Sequence, residues 1–182
     1  MIKVTLIAFA LSALCMITVE TRGGDIVGKR LPSVKGTALS GQEIQFPEDL
    51  AGVPTLLLVA YRRGTQSDVD KWMAFVQERE PKLAFFEVPA IAGIIWRPMS
   101  GWIDNGMRGG VAKEKWSRVV TLYADAGTLR DFLGDYGGYT THAVLVDREG
   151  KVAWFHAGGF SEKAAASLQE AIKKLTTKAQ TP

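Results

Sequence analysis

The sequence predicts an α/β domain with a central mixed sheet flanked by helices, opened by a β-hairpin and interrupted by an irregular insertion. Three observations predict it. A continuous apolar run, Thr55 to Tyr61 (TLLLVAY), reads as a strand buried on both faces. An amphipathic helix pattern and a second apolar run, Leu83 to Ile91, follow it, and strand–helix–strand order demands a crossover and a parallel pair. A hairpin pattern and a final amphipathic helix then close the chain.

The elements follow in order. Residues 25–52 are punctuated by Gly28, Pro32, Gly36 and Gly41, with Val34, Ile44 and Phe46 marking the short strands of a hairpin. After the first apolar run comes a polar loop, 62–67, with Ser67 or Asp68 placed to cap a helix. Val69, Trp72, Met73 and Val76 form one face of that helix, and Pro81 ends it. Residues 92–115 are the least regular: Ile95, Met99, Trp102, Ile103 and Met107 fall near helical spacing, but glycines at 93, 101, 106, 109 and 110 predict an interrupted helix. Arg118 to Tyr123 reads as a short strand, and Thr128 to Asp131 resembles a capping box opening a short helix. His142–Val146 and Val152–His156 form the closing hairpin around a turn at 147–150, and Ser161 caps a helix whose apolar face is Ala164, Leu168, Ala171, Ile172 and Leu175.

Composition narrows the function. At 47% hydrophobic and 23% charged residues the chain is an ordinary folded protein. A net charge of +3 argues against a dedicated nucleic-acid binder, which concentrates far more Lys and Arg on one face. The uncharged run at residues 4–19, behind Lys3, reads as an export signal or N-terminal anchor within residues 1–22, with the folded domain at 25–178. Cleavage would fall after Ala13-Leu14-Cys15 or, less favourably, Val19-Glu20-Thr21, and Leu14 before Cys15 speaks against lipidation. The expected location is the periplasm or the outer face of the inner membrane. Cys15 is the only cysteine, so in either case the exported domain carries no thiol.

VGKRLPSVKGTALSGQEIQFPEDLAGVPTLLLVAY resembles the N-terminal part of thioredoxin-like and peroxiredoxin-like proteins, and HAVLVDREGKVAWFHAG resembles their closing hairpin. A narrower resemblance is to the thioredoxin-like family of ATP synthase membrane-sector assembly factors known from mitochondria. VAYRRGTQSDVDKWMAFV, RVVTLYAD and GGYTTHAVLVDREGKVAWFHAGG carry it, with the basic and aromatic segment IAGIIWRPMSGWIDNGM between them. An export-type signal in place of an Arg-rich presequence points to a bacterial relative and leaves the client open.

The resemblance implies a thioredoxin-like fold whose redox loop is replaced by Arg62-Arg63-Gly64-Thr65, with Thr141 at the position of the cis-proline and His142 beside it. A hydroxyl with no base beside it is a poor nucleophile, so Thr65 is not expected to be catalytic. Two arginines at a helix N-terminus suit a carboxylate or phosphate; alternatively they pair with carboxylates or lie in solvent. His142 and His156 face each other if the hairpin turn holds three residues and lie on opposite faces if it holds two; alone they make a weak metal site, and neither metal nor cofactor is expected. Trp96, Arg97 and Trp102 lie in the insertion, with Trp116 close by. Aromatics among arginines suit a protein partner or a membrane interface; alternatively the tryptophans cover a sheet edge. The expected function is thus a redox-inactive, exported binding protein that assists assembly of a membrane complex, with peripheral membrane contact. A non-thiol enzyme or small-anion binder using the Arg62/Arg63 loop, and a degenerate peroxiredoxin relative with a structural role, are the alternatives.

Overall fold

The computed structural model describes residues 26–50, 52–91, 100–134 and 139–178. The N-terminal segment at 1–22, with Cys15, and the insertion residues Trp96 and Arg97 lie outside the described residues.

The apolar run becomes β3 (Thr55–Ala60), the centre of a four-stranded sheet ordered β4-β3-β6-β7. It pairs in parallel with β4 (Ala84–Pro89) and antiparallel with β6 (His142–Val146), which pairs antiparallel with β7 (Val152–His156). The opening hairpin, β1 (Val34–Ala38) and β2 (Glu43–Phe46), joins β5 (Val120–Thr121) in a second sheet ordered β2-β1-β5. Parallel bridges Glu87↔Val119 and Ala90↔Leu122 tie β5 to the edge of β4. β1 approaches β5 so closely that a Cβ at Gly36 would lie 2.6 Å from Val120 Cγ1, so this position requires glycine.

Side-chain alternation divides the core into two layers. Leu57, Val59, Val88, Val144 and Val146 face the β1–β2 hairpin and α3 (Ala126–Leu133). Leu56, Leu58, Phe85, Ala143 and Leu145 face α1 (Gln66–Arg79) and α4 (Glu162–Lys178). Trp72 of α1 is fully buried in the second layer, against Phe75, Trp154 and Phe160. Truncating an indole buried in this way costs about 3–5 kcal/mol, which makes Trp72 a principal anchor of α1. The turn between β6 and β7 is set by Asp147, whose carboxylate accepts the backbone N–H groups of Glu149 at 3.0 Å and Lys151 at 2.8 Å.

The helix starts differ from two expectations. Neither Ser67 nor Asp68 caps α1: the helix begins at Gln66, Thr65 holds the cap position without a side-chain cap bond, and Asp68 reaches elsewhere. Nor does Thr128 open α3. That helix starts at Ala126, and the carboxylate of Asp125 accepts the Lys35 N–H at 2.8 Å, joining α3 to β1 instead of capping its own helix. Ser161 does cap α4, accepting the Ala164 N–H at 3.2 Å.

Within the insertion, α2 (Ser100–Gly110) runs without interruption through glycines at 101, 106, 109 and 110. Glycine disfavours a helix interior by about 1 kcal/mol each, so tertiary contacts must hold it. The Tyr123 hydroxyl donates to buried Asp104 Oδ1 at 2.7 Å, and Arg108 Nε donates to the Leu39 carbonyl at 2.8 Å. Burial, and the Asp104 carboxylate beside it, push the Tyr123 phenol well above the ordinary tyrosine range, which keeps it a donor. A 3-10 turn at Lys113–Arg118 then leads into β5.

Candidate functional site

The loop between β3 and α1 is shaped by its own backbone. Arg62 is extended, with φ −144° and ψ 148°, and Arg63–Thr65 form a 3-10 turn that runs into α1. Thr65 is 3% exposed, and its hydroxyl donates to the Arg62 carbonyl at 2.8 Å. Opposite, Thr141 is fully buried, with Oγ1 3.5 Å from the Thr65 carbonyl oxygen. The structure therefore brings Thr65 and Thr141 together, with both hydroxyls turned inward.

Asp68 ties this region together. Its carboxylate accepts the N–H of Thr141 at 3.2 Å and the N–H of Phe160 on its other oxygen. Gly159, with φ +75°, passes so close that an added Cβ would lie 3.1 Å from the carboxylate oxygens. One side chain thus joins the start of α1, the strand opening β6 and the connection to α4.

The two arginines stay outside. Both are exposed, and neither forms an ion pair among the described residues. Arg62 lies over the ring of exposed Tyr139 at 4.5 Å. Gly64 is also exposed, with open space around its α-carbon.

His142 does not join the arginines. It is 2% exposed, edge-on to Tyr61 and Phe155, each at 5.5 Å. The hairpin register pairs Ala143, not His142, with His156, so the two histidines occupy opposite faces of the sheet. His156 stacks on Trp154 at 6.0 Å. Among the described residues no group of three His, Cys, Asp or Glu side chains could hold a metal ion.

The insertion tryptophans diverge. Trp102 on α2 is 73% exposed. Trp116 is half-buried beneath Arg108, whose guanidinium lies 5.7 Å from its ring centre, and its indole N–H donates to the Val111 carbonyl at 2.9 Å.

A further site was not anticipated. A cleft of about 380 Å³ opens between α1 and the 3-10 turn before β5. Glu87 of β4 lines it and is only 8% exposed. Burial pushes its carboxyl up from the ordinary value. The polar Gln66 amide nearby opposes that rise, the negative charge of Asp70 adds to it, and Lys115 opposes it. The signal was present in the sequence: Glu87 is the one charged residue in the apolar run LAFFEVPAI.

Neither a protein-family model nor a curated protein matches this sequence. Solved structures do. The thioredoxin domain of a thiol-disulfide oxidoreductase from Bacteroides vulgatus matches with a TM-score of 0.54 at 15% identity, covering 79% of this chain and 96% of that one. The chain has a thioredoxin-like fold. An exposed lipoprotein thioredoxin from Streptococcus pneumoniae matches at 0.53 and 18% identity over 78% of this chain and 99% of that one. A thiol peroxidase from Chromobacterium violaceum matches at 0.53 and 15% identity over 81% and 87%. This thioredoxin-like chain has a single cysteine, at position 15, and none near the loop ahead of α1.

Proposed function

We propose that this chain is an exported, thioredoxin-like binding protein that assists assembly of a membrane protein complex without thiol chemistry. The observation that carries the reading is the loop ahead of α1. A thiol would gain reactivity there from the helix N-terminus, yet the loop holds Arg62-Arg63-Gly64-Thr65 and turns its only hydroxyl back onto its own backbone. The sequence resemblance to ATP synthase membrane-sector assembly factors supplies the client class. Exposed Trp102 supplies an aromatic anchor of the kind interfaces use. In this reading residues 1–22 act as signal or anchor, and the folded domain works in the periplasm or at the outer face of the inner membrane. Among the described residues no helix is long and apolar enough to cross a membrane; in this reading the folded domain meets the membrane peripherally.

Photocrosslinking from position 102 in native membranes tests this. Capture of an integral membrane subunit is expected; exclusively soluble products would overturn the reading. A second reading, a small-anion site at the same loop, is favoured by the exposure of Arg62 and Arg63. It requires that phosphate shift the amide resonances of residues 63–66 and that an Arg62→Ala/Arg63→Ala double variant lose those shifts; unchanged spectra would rule it out.

A further inference from the structure

The cleft beside α1 combines features that no structural role accounts for. Glu87 sits on the face of β4 that otherwise contributes Phe85 to the core layer beneath α1. An apolar residue there would extend that layer; instead the cleft reaches a carboxyl that is 8% exposed. Burying an ionisable group is unfavourable unless it is paired. Among the described residues neither Glu87 nor Asp70 forms an ion pair. The Gln66 amide donates to Asp70 Oδ1 at 3.2 Å, and it lines the same cleft as Glu87. Two acids thus line one space of about 380 Å³ with a neutral amide beside them.

The walls define what would fit. Met73 and Phe85 line the cleft from α1 and β4, and Val111 and Val119 line it from either side of the 3-10 turn. These apolar surfaces suit an aliphatic stem, and the three acids of the lining, Asp70, Glu87 and Glu114, outnumber its two bases, Lys115 and Arg118, which suits a positive head group. Lys115, exposed on the 3-10 turn, is the cation whose field reaches Glu87, but it forms no ion pair there. Arg118 also lines the cleft, with its guanidinium held over the Phe85 ring at 5.1 Å.

We propose that this cleft binds an organic cation, an ammonium or guanidinium group on an aliphatic stem, between Glu87 and Asp70. The cation comes either from a lysine or arginine side chain of a partner protein or from a free small amine. The proposal does not depend on the assembly reading, because it rests on residues of α1, β4 and the 3-10 turn, not on Trp102 or the N-terminal segment.

The test is calorimetric titration of the full chain in mild detergent with three probes: a blocked Gly-Gly-Lys-Gly-Gly peptide, the same peptide with norleucine for lysine, and n-butylamine. The lysine peptide is expected to bind and the norleucine peptide not to bind. Glu87→Gln, which keeps the shape and removes the charge, should weaken binding at least tenfold; Asp70→Asn should weaken it less. Lys115→Ala, which removes the competing cation, should strengthen it. Tighter binding of the lysine peptide than of butylamine assigns the source to a partner protein, and equal affinity assigns it to a small amine. Equal binding of the lysine and norleucine peptides, an unaffected Glu87→Gln variant, or no binding of either cation would each overturn the proposal.

Discussion

Asp68 and Asp70 stand two residues apart in the first turns of α1, and they serve opposite ends. Asp68 turns toward the loop where thiol enzymes of this fold do chemistry, and both its oxygens are taken by backbone N–H groups of Thr141 and Phe160. Asp70 turns toward the cleft that Glu87 also lines, and accepts only the Gln66 amide at 3.2 Å among the described residues. The contrast separates a carboxylate consumed by the fold from a pair left available to a ligand. It also moves attention from the expected site to its neighbour: the loop at Arg62–Thr65 is closed by internal hydrogen bonds, and the cleft one helix face away is open.

The largest effect should come from breaking the closed side. Asp68→Ala strands two backbone donors that are partly buried, and hydrogen bonds to a charged acceptor contribute about 1.5–3 kcal/mol each. A loss of roughly 3 kcal/mol is expected in urea unfolding, with Asp68→Asn recovering part of it through the remaining carbonyl oxygen. A loss below about 1 kcal/mol would mean that the three segments are held by packing alone, and the contrast with Asp70 would collapse.

The open side should respond in the other direction. Burial raises the Glu87 carboxyl above its ordinary value of 4.5 in the folded chain. A raised acid contributes its full stability below the unfolded value, and that contribution is lost as pH rises through the folded one. Above the unfolded value the folded chain therefore loses stability that a neutral amide at this position keeps. Glu87→Gln should raise the melting temperature at pH 7, and the gain should shrink toward zero below pH 4.5. A gain that does not change with pH would assign the effect to packing rather than charge. Set beside the predicted loss of cation binding, this is the trade of stability for function seen at ligand sites.

The sequence reveals the frame better than the sites. β3, β4 and the closing hairpin are legible because each is a strong apolar or alternating run between turn residues. Ser161 is legible as a cap because its helix is regular. Helix starts at Gln66 and Ala126 are not, since Asp68 and Asp125 spend their carboxylates on distant backbone N–H groups, which no local pattern records. The continuity of α2 is likewise hidden: its glycines argue for breaks, and the contacts that hold it come from Tyr123 and Leu39. At the site, Thr65 and Thr141 can be placed opposite each other by family resemblance. Whether His142 shares a face with His156 depends on the irregularity between Leu145 and Val146, which a turn count leaves open. Glu87 could have been found by asking why an apolar strand carries one acid.

The smallest effect belongs to the arginines, and it tests whether the loop is closed from within. Arg62 lies over Tyr139 in solvent, and an exposed cation–π contact contributes about 0.5–1 kcal/mol. Arg62→Ala and Tyr139→Ala should each cost about that much, and the double variant no more than either alone, because both remove the same contact. Arg63→Ala should cost less still, since its side chain has no such partner among the described residues. Thermal melts of the four variants measure this directly. If either arginine variant lost several kcal/mol, the guanidinium groups would be part of the seal rather than outside it. The inward turn of Thr65 would then be a consequence of the arginines and not of the Arg62 carbonyl that accepts its hydroxyl.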